Sequence, residues 1–215
     1  MTTLHDDMPA AGISGRIRTF LVDKASGLAV PAAHKCNVIA YSAADLIARM
    51  LAGDASYLPR HVGFIYGTDP SPLLDDPDSL PAETKRVHDW SRIGTDVAAV
   101  GGNMLVVPLA QSPTVARDGS ASLYTANAVT FSAHTGLAQE YAFPTTGGTF
   151  ARSLAELEGE YGDTVYFYQA VLLNRWESGG RVTYTPFSRA SLGVAPFTPK
   201  PASQHLSIFW TITFK

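Results

Sequence analysis

The side chains able to do chemistry in this chain are six histidines (His5, His34, His61, His88, His134 and His205), one cysteine, Cys36, and a few short acidic groupings. Two imidazoles four residues apart share one face of a helix and can hold a metal between them. None of these histidines has that spacing. His34 and Cys36 stand two apart, which on a strand aims both side chains to one face as a pair of ligands, but the sequence offers them no third. The plainer reading is a small buried thiol beside a surface imidazole. Cys36 with a distant histidine is also the remaining candidate for nucleophilic catalysis, and a single cysteine excludes an internal disulfide.

The acids point the same way. Asp75, Asp76 and Asp78 carry hard oxygens suited to calcium, yet Pro77 interrupts them and no glycine-centred loop follows. A solvated acidic loop is expected. Glu156 with Glu158 or Glu160 has the residue types of a glycosidase pair, but their closeness in one polar turn argues for a solvent face. Gly12-Ile13-Ser14-Gly15 resembles a serine elbow without its second-glycine spacing, and it leads into a strand rather than a helix. Gly101-Gly102 and Gly147-Gly148 are isolated pairs lacking the lysine and spacing of a phosphate-cradling loop. The expectation is a non-enzymatic chain with no catalytic set, no metal site and no cofactor.

Aromatic side chains leave a binding function open. Tyr57, Tyr66, Tyr124, Tyr141, Tyr161, Tyr166, Tyr168, Tyr184, Trp90 and Trp176 include several at expected loops or strand ends, where a ring face can stack on a sugar. In β proteins most such rings sit in the core or an interface with one polar tip. Trp176, in a hairpin loop expected over 174–180, is the aromatic expected to be most exposed.

These residues are carried mainly by strands. Leu206, Ile208, Trp210, Ile212 and Phe214 alternate, so a strand over 205–214 presents one heavy apolar face. A terminal strand stays ordered only when it pairs. Further strands are expected over 16–22, 37–41, 61–66, 104–109, 126–133, 165–173 and 181–185, with 165–173 apolar enough to be covered on both sides. Ser42 as cap, Asp45 in the first turn, Leu46, Ile47, Met50 and Leu51 at helical spacing and Gly53 at the end place one helix over 43–52. One more helical turn is expected over 153–158. The stretch 68–82, dense in proline and aspartate, reads as a long surface loop, and 83–96 as ambiguous with Trp90 anchoring it.

The fold expected is mainly β: an antiparallel β-sandwich or jelly roll of about eight strands with the short helix packed on one sheet. A flexible arm over 1–14 would precede a single domain over 15–215, and the alternative is two subdomains split near 82–101. Hydrophobic residues are 46% and charged residues 16% of the 215, with a net charge of −3. That charge lacks the footprint of a nucleic-acid binder, and no run approaches the roughly 18 apolar residues of a membrane span. The first residues, with His5, Asp6 and Asp7, lack the apolar stretch of a secretory signal.

The strings 124–131 (Tyr-Thr-Ala-Asn-Ala-Val-Thr-Phe), 167–172 (Phe-Tyr-Gln-Ala-Val-Leu) and 187–190 (Phe-Ser-Arg-Ala), then a Lys200-Pro201 step before the closing strand 206–214, resemble small structural proteins of tailed bacteriophages. That resemblance implies a virion component of the tail, baseplate, collar or capsid surface, made in the host cytoplasm and acting through contacts with copies of itself and other virion proteins. On that reading no nucleic acid or membrane is a partner. Pro70, Pro72, Asp75 and Asp76 in the loop, and Trp176 at the hairpin tip, are the expected contact residues. The alternative is a carbohydrate- or receptor-binding module, with a host-surface glycan as partner.

Overall fold

In a computed structural model, the described residues are 13–40, 42–70, 103–116, 127–141, 153–161, 165–193 and 197–214. They form one antiparallel sheet with eleven strands. In chain order these are β1 (Ile13–Asp23), β2 (Ala29–Ile39), β3 (His61–Gly67), β4 (Asn103–Pro108), β5 (Thr114–Ala116), β6 (Ala128–His134), β7 (Glu140–Tyr141), β8 (Val165–Ser178), β9 (Arg181–Ser191), β10 (Pro199–Lys200) and β11 (Gln204–Phe214). Helix α1 (Ser42–Leu51) follows β2, and α2 (Leu154–Tyr161) precedes β8. The spatial order is β5-β6-β11-β1-β2-β9-β8-β3-β4-β7, with β10 beside β8.

The sheet curls strongly. Inward side chains of strands far apart in that order, among them Ile17, Val62, Phe64, Leu105, Phe131, Phe167, Leu172, Ile208 and Trp210, pack into one core. The Ala110 N–H donates to the Ser132 carbonyl at 2.8 Å, tying the chain after β4 to β6. A second cluster, Ile65, Met104, Val106, Tyr168, Val171, Leu173 and Phe197, lies on the other face of β3, β4 and β8. β8 is therefore buried on both sides from Val165 to Leu173, as its unbroken apolar run there predicts.

The closing strand takes the central place its alternation calls for. β11 ladders to β1 from Ile13↔Phe214 to Asp23↔Gln204 and to β6 on its other side. β1 already begins at Ile13, inside the arm expected over 1–14, because Ile13 pairs with Phe214. Residues 1–12 lie outside the described residues, as do 83–96.

Helix α1 forms where its caps place it. Gly53 has φ 93°, its N–H donates to the Met50 carbonyl, and the Asp54 N–H donates to that of Arg49, the paired bonds of a Schellman stop. Ala43 and Leu46 are buried against the inner core. The Ser42 hydroxyl, expected to cap the first turn, instead donates to the Pro186 carbonyl and ties the helix to β9. α2 is longer than the single turn expected. Ser153 and Glu156 form a reciprocal capping box, with Ser153 N–H to Glu156 Oε2 at 2.6 Å and Glu156 N–H to Ser153 Oγ at 3.1 Å.

Other boundaries move because pairing, not local pattern, decides them. β2 starts at Ala29 rather than 37, and its first half is held by the β1 ladder, with a register shift opposite Pro31. β9 runs on to Ser191 through Pro186, which proline tolerates because it sits at a register shift in the β8–β9 ladder. The loop expected over 174–180 is almost wholly strand. The ladder continues to Ser178↔Arg181, and only Gly179 and Gly180 turn, at φ 57° and 76°. Two-residue hairpins whose twist matches their strands require that left-handed pair.

Candidate functional site

Strands β6, β11, β1 and β2 leave one face open. Period-two alternation sends Ile17, Leu206, Ile208, Trp210 and Ile212 inward, so Arg16, Arg18, Phe20, Ser207, Phe209 and Thr211 point out. Register sets them in rows. Ser132, Phe209, Arg18 and His34 lie side by side across the four strands, and Thr130, Thr211, Arg16 and Cys36 form the next row.

Arg16, Arg18, His34 and Cys36 are exposed, and Phe209 is 37% exposed although aromatic. Phe209 meets Phe20 edge to face, with ring centroids 5.8 Å apart and planes at 85°. That diagonal cross-strand arrangement suits two ring quadrupoles. Thr130 and Thr211 share a hydrogen bond at 3.0 Å beside them. No outward position on these four strands is a carboxylate. Asp23 closes β1 on the inward register, and its carboxylate caps the following turn through the N–H groups of Ala25 and Ser26. The face thus carries two guanidinium groups, the imidazoles of His34, His134 and His205, and two phenyl rings on a chain of net charge −3.

The residues expected to make contacts do not gather here. Pro70 is held to the body, its carbonyl accepting from the Phe197 N–H at 2.8 Å, next to the Asp69 carbonyl that takes the Tyr168 hydroxyl. Pro72, Asp75 and Asp76, with the rest of the loop past Pro70, lie outside the described residues. Trp176 is 47% exposed, but it stands on β8 opposite Thr183 rather than in a loop tip. Pro70 sits by the start of β8 and Trp176 near its end, so the structure does not bring them together.

The other candidate chemistry is engaged elsewhere. Cys36 is exposed, not buried, because it lies on the outward face of β2, which enters the core only at Val38. His34 does share that face, as two-residue spacing requires. Among the described residues, no three His, Cys, Asp or Glu side chains gather as a metal cluster. Glu156 caps α2, and Glu158 pairs with the almost fully buried Lys200 ammonium.

Two polar clusters had no sequence signal. Glu140 on β7 accepts from Arg175 Nε at 2.8 Å and from the Tyr184 hydroxyl at 2.6 Å. Burial pushes the Glu140 carboxyl up, but those donors outweigh it and hold the pKa below the usual carboxylate value. Burial and then the Glu140 bond push Tyr184 up to about 12. The cluster satisfies itself, and a structural role accounts for it. The second cluster lines a cleft where β6 ends and β11 begins. There His134 and His205 lie with ring centroids 4.8 Å apart, beside Lys200 and Glu158. Desolvation lowers the pKa of both imidazoles, and His134, Lys24 and Lys200 lower that of His205 further. No local spacing links these residues, which come from four elements.

No protein-family model matches the chain, and neither a curated protein nor a solved structure is significantly similar to it.

Proposed function

We propose that this chain is a receptor-binding module that docks an acidic protein surface on the open face of β6, β11, β1 and β2, with a sandwich-like strand assembly as its scaffold. The observation that carries the reading is the outward set Arg16, Arg18, Phe20, His34 and Phe209 on four strands whose outward positions include no carboxylate. Arginine and aromatic side chains dominate the buried centres of protein interfaces. A face of one charge steers a partner of the other and rejects like-charged surfaces. Four strands about 4.8 Å apart and about nine residues long offer roughly 20 × 30 Å, close to what one partner gives to a standard interface of about 800 Å² per side. Assembly within a phage particle would use the same mode of contact, but that setting rests on the resemblance of the C-terminal strings alone.

Cys36 provides the assay. It is the chain's one cysteine, exposed, and placed beside Arg16 on this face. A thiol-linked environment-sensitive dye there is titrated with poly-L-glutamate and with acidic and basic probe proteins. Saturable binding of the acidic probes is expected, weakened by salt. It should be abolished by Arg16→Glu with Arg18→Glu and reduced at least about tenfold by Phe209→Ala. Equal binding by the charge-reversed variant, or preference for basic probes, would refute the reading.

A further inference from the structure

We propose that the cleft at the β6–β11 end of the sheet binds a small neutral ligand rich in hydroxyl groups, of mono- or disaccharide size. Its volume is about 510 Å³, within the range of small-molecule sites. The wall mixes groups that donate and accept: His134 and Thr135 from the end of β6, Gln204 and His205 from the start of β11, Gln139, and Glu158 from α2. Leu154 and Ala155 of α2 supply an apolar patch. Polar groups able to both donate and accept, around a limited apolar surface, are what a sugar ring requires.

The buried charges in the wall are paired. The buried Lys200 ammonium donates to the Glu158 carboxylate and, at 2.9 Å each, to the carbonyls of Pro201 and Gln204, which uses its three donors. The exposed Lys24 ammonium donates to the Ala202 carbonyl at 2.5 Å and keeps its charge and two further N–H groups at the rim of the cleft. Burial favours the neutral form of both imidazoles. The buried cation of the wall is thus taken by Glu158, whereas a hydroxyl group can both donate to and accept from the accessible polar groups of the wall.

The other polar groups of the wall are partly met. Gln139 Nε2 is bonded to the Thr135 carbonyl at 2.7 Å, and the Thr135 hydroxyl accepts from the Leu206 N–H. Gln204 Oε1 and His134 Nδ1 are buried without a partner. The His134 ring lines the cleft beside that of His205. A Cβ at Gly136 would lie 3.1 Å from His134 Nδ1 and 3.4 Å from Cε1, so a larger side chain there would displace the His134 ring. The rings of His134 and His205, tilted by 37° to one another, add flat surface against which a sugar face can pack.

The test follows the histidine ring signals by NMR at pH 7.5 while glucose, galactose, mannose, N-acetylglucosamine, lactose and maltose are added in turn. For at least one saccharide, saturable shifts of two histidine signals are expected, with a Kd at or below about 10 mM. His205→Ala and Gly136→Val should each weaken that binding at least about tenfold. Arg16→Glu with Arg18→Glu should leave it unchanged, which separates this site from the docking face. The absence of saturable shifts in the parent protein overturns the proposal whatever the variants do. So does saturation by sodium sulfate in place of a saccharide, or affinity within about twofold of the parent in both folded cleft variants.

Discussion

Replacing Lys200 by methionine tests whether charge holds α2 to the sheet. The Lys200 side chain is 2% exposed and that of its partner Glu158 14%. Methionine keeps the length and most of the volume, so the packing loss is below about 1.5 kcal/mol. The larger loss is electrostatic: the variant strands a mostly buried carboxylate and removes a donor from the Pro201 and Gln204 carbonyls. Removing one partner of a buried pair costs about 3–5 kcal/mol. In a chain of 215 residues each kcal/mol lowers Tm by about 2–4 °C, so Lys200→Met should melt roughly 6–20 °C below the parent. Much of that penalty belongs to Glu158 left alone. The double variant Lys200→Met with Glu158→Leu should therefore return to within about 2 kcal/mol of the parent. Urea unfolding followed by tryptophan fluorescence at pH 7 measures the full cycle. Burial also lowers the Lys200 pKa below 10.5. The unfolded chain then holds the extra proton, so this group makes stability rise with pH in the window between its lowered pKa and 10.5, and the methionine variant should lack that slope. A single variant within about 1 kcal/mol of the parent, or a double variant as damaged as the sum of the singles, would refute the reasoning.

Acid should weaken the fold. Burial lowers the pKa of His61, His134 and His205 below 6.5, so as pH falls through 6.5 the unfolded chain takes up protons that the folded chain refuses, and stability drops. Urea midpoints should be level above that pH and fall steadily from pH 6.5 to 5; a flat profile across that range counts against the burial argument. Gly15→Ala should destabilise by about 1–3 kcal/mol, because its Cβ would overlap the Asn37 amide that donates to Ser188 Oγ, and displacing it removes that bond to a buried hydroxyl. Asn37→Ala added to Gly15→Ala should cost less than the two changes separately, a non-additivity that urea unfolding reads directly.

Local chemistry sufficed for the parts of this protein whose signals repeat over a few residues. The alternation from Leu206 to Phe214 determined that β11 exists and which face it buries, since successive strand residues point opposite ways. Ser42 to Gly53 determined α1 and its stop. The apolar run from Val165 determined a strand covered on both sides. A capping box at Ser153 and Glu156 was also written in the sequence, as a serine followed three residues later by a glutamate.

Tertiary structure decided the rest. Residues 29–36 bury little and show no period, so only the hydrogen bonds offered by β1 make them a strand. The same pairing extends β8 and β9 to Gly179 and Gly180 and puts Trp176 on a ladder instead of a loop. Which outward side chains share the open face depends on register across four strands, and a one-residue slip would have turned Arg16, Arg18 and Phe209 inward. The cleft depends on curvature. His134, His205, Lys200 and Glu158 are distant in the chain, and it takes the bending of the sheet, with α2 laid against its end, to seat two partly buried imidazoles beside a buried ion pair.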